Sequence, residues 1–321
     1  MFSTLQYKPL TRFQVDVRAG LLAHPKTLPS KYFYGGRGDE LFAQIMTLPE
    51  YYLTRCEADI LERYSSQILN RTGYVRGKFE MLELGAGNGL KTRILLEAGE
   101  REKLEFVYRP VDISPASLTT AQANILATVP TCQVIPHVAD YTNLDSLPYT
   151  DYPRLWLFLG SNLGNCDLVE AVYFLQRLAR RMQPQDTLLL GLDLHKETEI
   201  ILPAYNDSAG VTAEFNLNLL RRINYECETN FDLTHFVHAP VYNTRLHRAE
   251  SYLRSLSTQR VCSELLNIDI EFGEGERIHT EISQKYTSQS IAWLLRHAGL
   301  VWRAEYTDSR GYYTNVLCAK P

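Results

Sequence analysis

The stretch MLELGAGNGLKTRILL, residues 81–96, decides the fold. An apolar run ends at Glu83 and Leu84, three glycines follow at Gly85, Gly87 and Gly89, and helical spacing then resumes. Glycine permits positive φ angles and lets a ligand approach the backbone, and ligands of open α/β sheets bind at the carboxyl ends of the strands. The stretch predicts a strand, a ligand-binding turn and a helix, although a tight connection without a ligand would also suit three glycines.

Around this stretch, apolar strand-like segments alternate with amphipathic helical ones, a pattern typical of βα units around a parallel sheet. The expected strands cover 80–85, 106–114, 133–141, 154–160 and 187–194, and the expected helices cover 57–69, 90–99, 115–129 and 167–182. Residues 197–285 lose this rhythm, and the tail has the pattern helix, strand, strand. The sequence therefore predicts an α/β domain from 59–196 and 286–321, with 1–58 and 197–285 forming a second domain.

Composition narrows the class of protein. The chain has 321 residues, a formal net charge of −4 and no run of basic residues, which argues against a nucleic-acid partner. Its longest apolar segments are too short to span a bilayer, and the N-terminus shows no signal-peptide core. Six dispersed cysteines without a CxxC pair are expected to be reduced, and no histidine spacing suggests a metal site. A cytoplasmic protein without bound metal is expected.

Two further strand ends carry acids. Asp112 ends the second expected strand, 27 residues after Gly85, where a carboxylate can accept both hydroxyls of a ribose. Asp140 lies at the end of the third. NAD and S-adenosylmethionine (SAM) both contain such a ribose. The acid that precedes the first glycine resembles motif I of class I methyltransferases, and the absence of a glycine at the sixth position of the loop disfavours a nicotinamide dehydrogenase. A class I, Rossmann-like, SAM-dependent methyltransferase fold is predicted.

Longer phrases are more specific. The segments KTLPSKYFYGGRGDELF, ELGAGNGLKTRILL, FLGSNLGN, AYNDSAGVTAEFN and HTEISQKY resemble, in the same order and at similar spacing, the histidine N-alpha-methyltransferases of ergothioneine biosynthesis. The resemblance covers nearly the whole chain. It implies three methyl transfers from SAM to the α-amine of L-histidine, which give trimethylhistidine (hercynine). It also implies an α+β substrate domain built from the N-terminal zone and the insertion, and a monomer that acts on a free amino acid.

The resemblance also implies roles for individual residues. The cofactor shell would consist of Tyr34, Gly85, Gly87, Lys91, Asp112, Asp140 and Tyr141, with Tyr34 and Lys91 on the methionyl carboxylate. The substrate site would consist of Tyr51, Gly160, Asn165, Tyr205, Ser251, Glu281 and Ser283. In this assignment Asn165 and Tyr205 bind the α-amine and carboxylate and, with Tyr51, form the catalytic group. Tyr51, Glu281 and Ser283 read the imidazole, and Gly160 lies beside the transferred methyl group.

One position departs from the family pattern. Ser251 stands where the family's substrate pocket has a methionine, so a small hydroxyl replaces a flexible apolar wall. Weaker histidine binding, a bound water molecule or a larger aromatic substrate would each be consistent with that change. An α-N-methyltransferase of a tryptophan- or tyrosine-derived amine therefore remains an alternative, as does a non-catalytic cofactor-binding protein. Glu281 favours histidine, because a carboxylate can accept the imidazole N–H and reject side chains without that donor.

Overall fold

The computed structural model describes residues 9–74 and 77–321. Its helices are α1 (Arg12–Leu22), α2 (Arg37–Ile45), α3 (Tyr52–Thr72), α4 (Leu90–Arg101), α5 (Pro115–Leu126), α6 (Leu168–Arg181), α7 (Thr198–Ile201), α8 (Val211–Cys227) and α9 (Ser288–Ala298). Its strands are β1 (Lys26–Thr27), β2 (Phe79–Leu84), β3 (Phe106–Asp112), β4 (Gln133–Val134), β5 (His137–Val138), β6 (Arg154–Phe158), β7 (Thr187–Asp193), β8 (Phe236–His238), β9 (Val241–Asn243), β10 (Arg248–Ser255), β11 (Gln259–Ser263), β12 (Ile268–Phe272), β13 (Arg277–Gln284), β14 (Val301–Thr307) and β15 (Tyr313–Ala319). The expectation about a signal peptide rests partly on residues 1–8, which lie outside the described residues.

The larger of two compact units contains residues 46–204, 242–249 and 282–321. Its sheet has the order β14-β15-β7-β6-β2-β3-β4, and β5 also pairs with β3. Strands β2, β3, β4, β5, β6 and β7 pair in parallel, whereas β15 is antiparallel to β7 and to β14. Strand β2 has β3 on one side and the later β6 on the other, so the strand order reverses at β2. The predicted Rossmann-like α/β fold is confirmed.

The central strands owe their positions to continuous apolar sequence. Every residue of β6 and β7 is buried, which is typical of parallel strands covered by helices on both faces. Trp156 and Leu188 from these strands pack in one core with Leu178 of α6 and Leu294 of α9. Within residues 9–74 and 77–321, no helix has both the length and the apolar character needed to cross a bilayer.

The third predicted strand, over 133–141, differs from the structure. It forms two short strands, β4 and β5, which pair with successive parts of β3. Pro136 lies between them and has no N–H to contribute to a ladder. The main chain still follows β3, because Ile135 N–H donates to Tyr108 O and Ala139 N–H donates to Asp112 O. Asp140 is therefore still delivered just beyond the carboxyl end of β3.

The smaller unit contains residues 1–45, 205–241 and 250–281, as far as these are described. Its sheet has the order β1-β13-β10-β8, and β11 and β12 form a separate hairpin. Helix α8 packs against α1, α2 and β8. The rings of Phe33 and Phe215 lie 4.8 Å apart within this core. The unit combines helices with a mainly antiparallel sheet, so its class is α+β.

The division into units differs from the predicted domain boundaries. The prediction placed residues 46–58, 197–204, 242–249 and 282–285 in the substrate domain, whereas they belong to the unit with the eight-stranded sheet. The predicted boundary at 58/59 would cut α3, which is one continuous helix and packs along α4 and β15 of the larger unit.

Gly191 in β7 provides a stability test. A β-carbon at this position would lie 2.1 Å from Oε1 of Glu57 and 2.7 Å from the hydroxyl oxygen of Tyr313. Overpacking a tight core costs about 1–3 kcal/mol, so we expect Gly191→Ala to lower the free energy of unfolding by that amount in chemical denaturation. Gly273→Ala is the matched control, since a β-carbon there would meet only Oε2 of Glu276, at 3.9 Å. Equal stability of the two variants would contradict the packing described here.

Candidate active site

The glycine loop connects the carboxyl end of β2 to the first turn of α4. Gly85 and Gly87 have φ angles of 74° and 55°, in the left-handed region that glycine adopts without strain. A β-carbon at Gly85 would lie 2.6 Å from Nδ2 of Asn162, whereas one at Gly87 would meet no atom within 4 Å. Position 85 therefore needs glycine so that the segment after β6 can approach, and position 87 faces open space that a ligand can enter.

Asp112, the last residue of β3, is attached to this loop. Its Oδ2 accepts the Gly87 N–H at 2.9 Å, and its Oδ1 accepts the Ser114 N–H at 2.9 Å. An ionised carboxylate offers about four acceptor positions, so these two bonds fix its orientation without using its whole capacity. The arrangement suits a carboxylate that receives ribose hydroxyls beside a glycine loop.

Asp140 and Tyr141 follow β5. Oδ1 of Asp140 accepts the N–H of Thr142 at 2.9 Å and its hydroxyl at 2.6 Å, which orients the carboxylate in a turn. The Tyr141 ring packs 5.3 Å from that of Phe158, and its Cε1 would lie 3.4 Å from a β-carbon at Gly85. Burial raises the pKa of Tyr141, and a side-chain hydrogen bond joins it to Asn165. Tyr141 thus connects the glycine loop to the segment after β6.

Glu57 is a buried carboxylate that the sequence analysis missed. Its Oε2 lies 2.5 Å from Nζ of Lys91 and accepts the Gly160 N–H at 2.8 Å, and its Oε1 accepts the Tyr313 hydroxyl at 3.1 Å. The buried carboxylate therefore fixes the positions of the Lys91 ammonium group and the Gly160 N–H relative to each other. The sequence did contain an indication of this role: Glu57 stands at helical spacing from the apolar residues Leu53, Ile60 and Leu61, on the face that a helix buries. In the structure Glu57 is fully buried in α3.

Besides Gly160, the larger unit contains three predicted substrate residues. Asn165 ends the 3₁₀ turn that follows β6, and Tyr51 is half-buried at the N-terminal boundary of α3. Ser283 is buried near the end of β13, where its Oγ accepts a hydrogen bond from Nζ of Lys285 at 2.8 Å. Around the carboxyl ends of β2, β3, β5 and β6 the structure places Gly85, Gly87, Lys91, Asp112, Asp140, Tyr141, Gly160 and Asn165.

Four predicted residues belong to the smaller unit: Tyr34, Tyr205, Ser251 and Glu281. The Tyr34 ring lies 5.3 Å from that of Phe42, and its carbonyl accepts a hydrogen bond from Arg222 at 2.7 Å. Tyr205 is buried, and the segment after it is fixed where the Asp207 carboxylate accepts two N–H groups at the start of α8. The functional roles of these residues remain predictions.

Ser251 and Glu281 project from opposite faces of their sheet. The Ser255 N–H donates to Glu276 O, which places Ser251 opposite Thr280 on the neighbouring strand. In agreement, the Thr280 hydroxyl donates to Ser251 O at 3.0 Å. Ser251 and Thr280 point toward α8, where Thr280 also bonds Asn216. Since side chains alternate along a strand, Glu281 points to the other face.

The family comparison agrees with this geometry. Residues 13–320 match the family described as histidine-specific methyltransferase, SAM-dependent. The chain belongs to this family. It is 40% identical over 306 residues to the histidine N-alpha-methyltransferase of Mycolicibacterium smegmatis, covering 95% of this chain and 94% of that one. The corresponding protein of Mycobacterium tuberculosis is 37% identical over the same shares of both chains.

A fungal relative is similar over only part of its length. Ergothioneine biosynthesis protein 1 of Neurospora crassa is 30% identical over 303 residues, which cover 91% of this chain and 33% of that protein.

Members of this SAM-dependent family need a site for the cofactor, and the carboxyl edge of the large sheet fits one. Gly87 opens onto unfilled space, Asp112 presents an oriented carboxylate beside it, and Lys91 places an ammonium group at the start of α4. In the described part of the chain, no group of three or more His, Cys, Asp or Glu side chains is arranged to hold a metal ion.

Replacing Asp112 tests the cofactor site of this methyltransferase. Asparagine retains one acceptor oxygen, so Asp112→Asn cannot keep both backbone bonds and also receive a ribose diol. We expect SAM affinity to fall by about 10–100-fold in calorimetric titration, since hydrogen bonds to charged groups contribute about 1.5–3 kcal/mol. Asp145→Asn, at an exposed carboxylate, is the control and should bind SAM as the parent does. Unchanged affinity in Asp112→Asn would refute the assignment.

Glu83, the acid of the glycine-loop motif, has a structural role. It is buried, and its carboxylate accepts hydrogen bonds from the hydroxyls of Thr92, at 2.6 Å, and Tyr108. Burial raises its pKa from 4.5 to about 7, against the lowering effect of these two hydrogen bonds. Glu83 therefore ties β2 to the first turn of α4 and to β3, and it supports the loop from below.

The raised pKa predicts a pH dependence of stability. Between about pH 4.5 and 7 the folded state holds a proton at Glu83 that the unfolded state has lost, so this site's contribution to stability falls as pH rises. We expect the unfolding free energy of the parent, relative to Glu83→Gln, to fall by up to about 3 kcal/mol across that window. Denaturant titrations at several pH values measure it, with Glu62→Gln at an exposed site as control. A constant difference would contradict the assigned pKa.

Proposed function

We propose that this protein transfers three methyl groups from SAM to the α-amine of L-histidine, producing hercynine in the first step of ergothioneine biosynthesis. The observation that carries the proposal is the match of 95% of the chain, at 40% identity, to a histidine N-alpha-methyltransferase. The oriented carboxylate, glycine loop and ammonium group at the carboxyl edge of the large sheet support it.

When bound, SAM supplies an electrophilic methyl group on a sulfonium sulfur. We assign Asp112 to the ribose hydroxyls, Asp140 to the adenine amine, and Lys91 with Tyr34 to the methionyl carboxylate. Tyr141, packed against Gly85, forms part of the same wall. Because Glu57 holds Lys91 and the Gly160 N–H on one carboxylate, it positions both the cofactor-binding ammonium and the segment assigned to the methyl group.

The substrate amine needs orientation and an unprotonated lone pair more than it needs a strong base. The α-amino group of a free amino acid is mostly protonated at physiological pH, and desolvation in the site lowers its pKa and increases the neutral fraction. Residues that align the amine lone pair with the methyl group that bound SAM would supply account for most of the rate enhancement, because the reaction depends on positioning. One proton leaves the nitrogen before each of the three transfers.

Asn165, Tyr205 and Tyr51 are assigned to orient the amine and the α-carboxylate. Glu281 accepts the imidazole N–H, and Ser283 contacts the same ring. Amide and phenol groups tolerate a nitrogen that gains methyl groups better than a closed set of hydrogen-bond acceptors would. We further assign the enzyme to the cytoplasm, in accord with six cysteines that all carry free thiols. We also assign it as a monomer that acts on a free amino acid.

A direct assay tests the proposal. The purified protein is incubated with SAM and, separately, with histidine, tryptophan, tyrosine and phenylalanine, and products are read by mass spectrometry. Histidine is expected to gain up to three methyl groups while the other amino acids stay unmodified. Methylation of tryptophan or tyrosine in place of histidine would preserve the methyltransferase assignment but refute the substrate. No methyl transfer to any of them, with SAM binding intact, would refute the catalytic assignment.

A further inference from the structure

A buried charge cluster lies where β7 ends and β13 leads toward α9. Asp193 is fully buried, and two lysines bind it: Nζ of Lys196 lies 2.6 Å from Oδ1 and Nζ of Lys285 lies 2.8 Å from Oδ2. The Tyr52 hydroxyl also donates to Oδ2, at 2.8 Å. Buried charges are costly unless they are paired. Two ammonium groups on one carboxylate leave these three side chains with a net charge of +1.

The two lysines differ in their other contacts. Lys196 donates to Asp193, to the Tyr52 hydroxyl at 3.0 Å and to Leu194 O, which together match its three N–H donors. Lys285 donates instead to Oγ of Ser283, at 2.8 Å. The positively charged cluster around Asp193 therefore contacts Ser283, a residue assigned to bind the substrate, through Lys285 and not through Lys196.

This contact fixes the polarity of the Ser283 hydroxyl. A serine can accept or donate, but an ammonium group can only donate. Oγ of Ser283 must therefore accept from Lys285, and its own hydrogen is directed elsewhere. Hydrogen bonds with a charged donor are roughly twice as strong as neutral ones, and they polarise the next bond in the chain. Ser283 is thereby made a better donor than an isolated serine.

We propose that Lys285 is a positioning residue that makes Ser283 a hydrogen-bond donor to the unprotonated ring nitrogen of the substrate histidine. The inference rests on the proposed function. A neutral imidazole has one N–H and one acceptor nitrogen, whereas an imidazolium has two N–H groups and no acceptor. With Glu281 accepting an N–H, a donating Ser283 selects the neutral ring in a single tautomer.

The test compares Lys285→Met with the parent. Methionine replaces most of the lysine stem, and Asp193 keeps Lys196 as its ionic partner, so the variant leaves one buried anion paired with one cation. We expect the KM for histidine to rise about tenfold with little change in kcat, since the hydroxyl can then turn its hydrogen away from the ring. The two pyrrolylalanines, whose rings carry an N–H and no acceptor nitrogen, are used as competitive inhibitors, and their inhibition constants should not change.

Two further variants make the result specific. Lys196→Met removes the same charge from the same carboxylate without touching Ser283, so it should leave the ratio between the histidine KM and the pyrrolylalanine inhibition constants unchanged. Ser283→Ala should raise the histidine KM as Lys285→Met does, and the double variant should be no worse than Ser283→Ala alone. Ser283→Ala also tests the donor role if Lys285→Met does not fold.

Three outcomes overturn the inference. These are additive effects in the double variant, an equal loss for histidine and the pyrrolylalanines in Lys285→Met, or full retention of the preference for histidine in Ser283→Ala. Each leaves histidine methylation by the parent intact. The first two refute the role of Lys285, and the third refutes the donor role of Ser283 and with it that of Lys285. If the parent does not methylate histidine, the proposed function fails and the inference fails with it.

Discussion

The reversal of strand order at β2 is the constraint on which the site depends. Because β3 and β6 flank β2, the chain leaves the sheet in diverging directions there, and a crevice opens at the carboxyl ends of the strands. The glycine loop after β2 and the segment after β6 border this crevice. The two segments lie so close together that a β-carbon at Gly85 would clash with Nδ2 of Asn162. Packing as well as backbone conformation therefore requires glycine at this position.

Two buried acids fix the loops at the carboxyl edge of the large sheet. Glu83 ties the glycine loop's strand to α4 and β3 through two hydroxyls, and Glu57 joins Lys91 to the Gly160 N–H. Neither carboxylate is exposed, so neither is suited to contact a cofactor directly. Both keep polar groups at the edge in fixed positions. Such preorganisation is what an in-line methyl transfer needs, because the reaction depends on alignment more than on acid–base chemistry.

The sequence was sufficient for the features that depend on local pattern. Continuous apolar runs predicted β6 and β7, and an acid at a strand end predicted where Asp112 and Asp140 would lie. Features that depend on distant pairing were missed. Glu57 lies in α3, 34 residues before Lys91 of α4. No pattern in the neighbouring sequence indicates that its carboxylate binds the segment after β6. The Asp193 cluster joins α3, β7 and Lys285, the residue that follows β13, so it too emerges only when the chain has folded.

Strand alternation also changes how the departure at Ser251 is understood. If a serine replaced a methionine on the face that carries Glu281, the wall beside that carboxylate would gain a hydroxyl. Ser251 instead lies buried on the opposite face, with Leu253 on its own strand and Thr280 across from it, beneath α8. The volume that is lost when serine replaces methionine therefore lies between the sheet and α8. The effect of Ser251 on the Glu281 face is therefore exerted through the position of β10 and not through a new polar group beside the carboxylate.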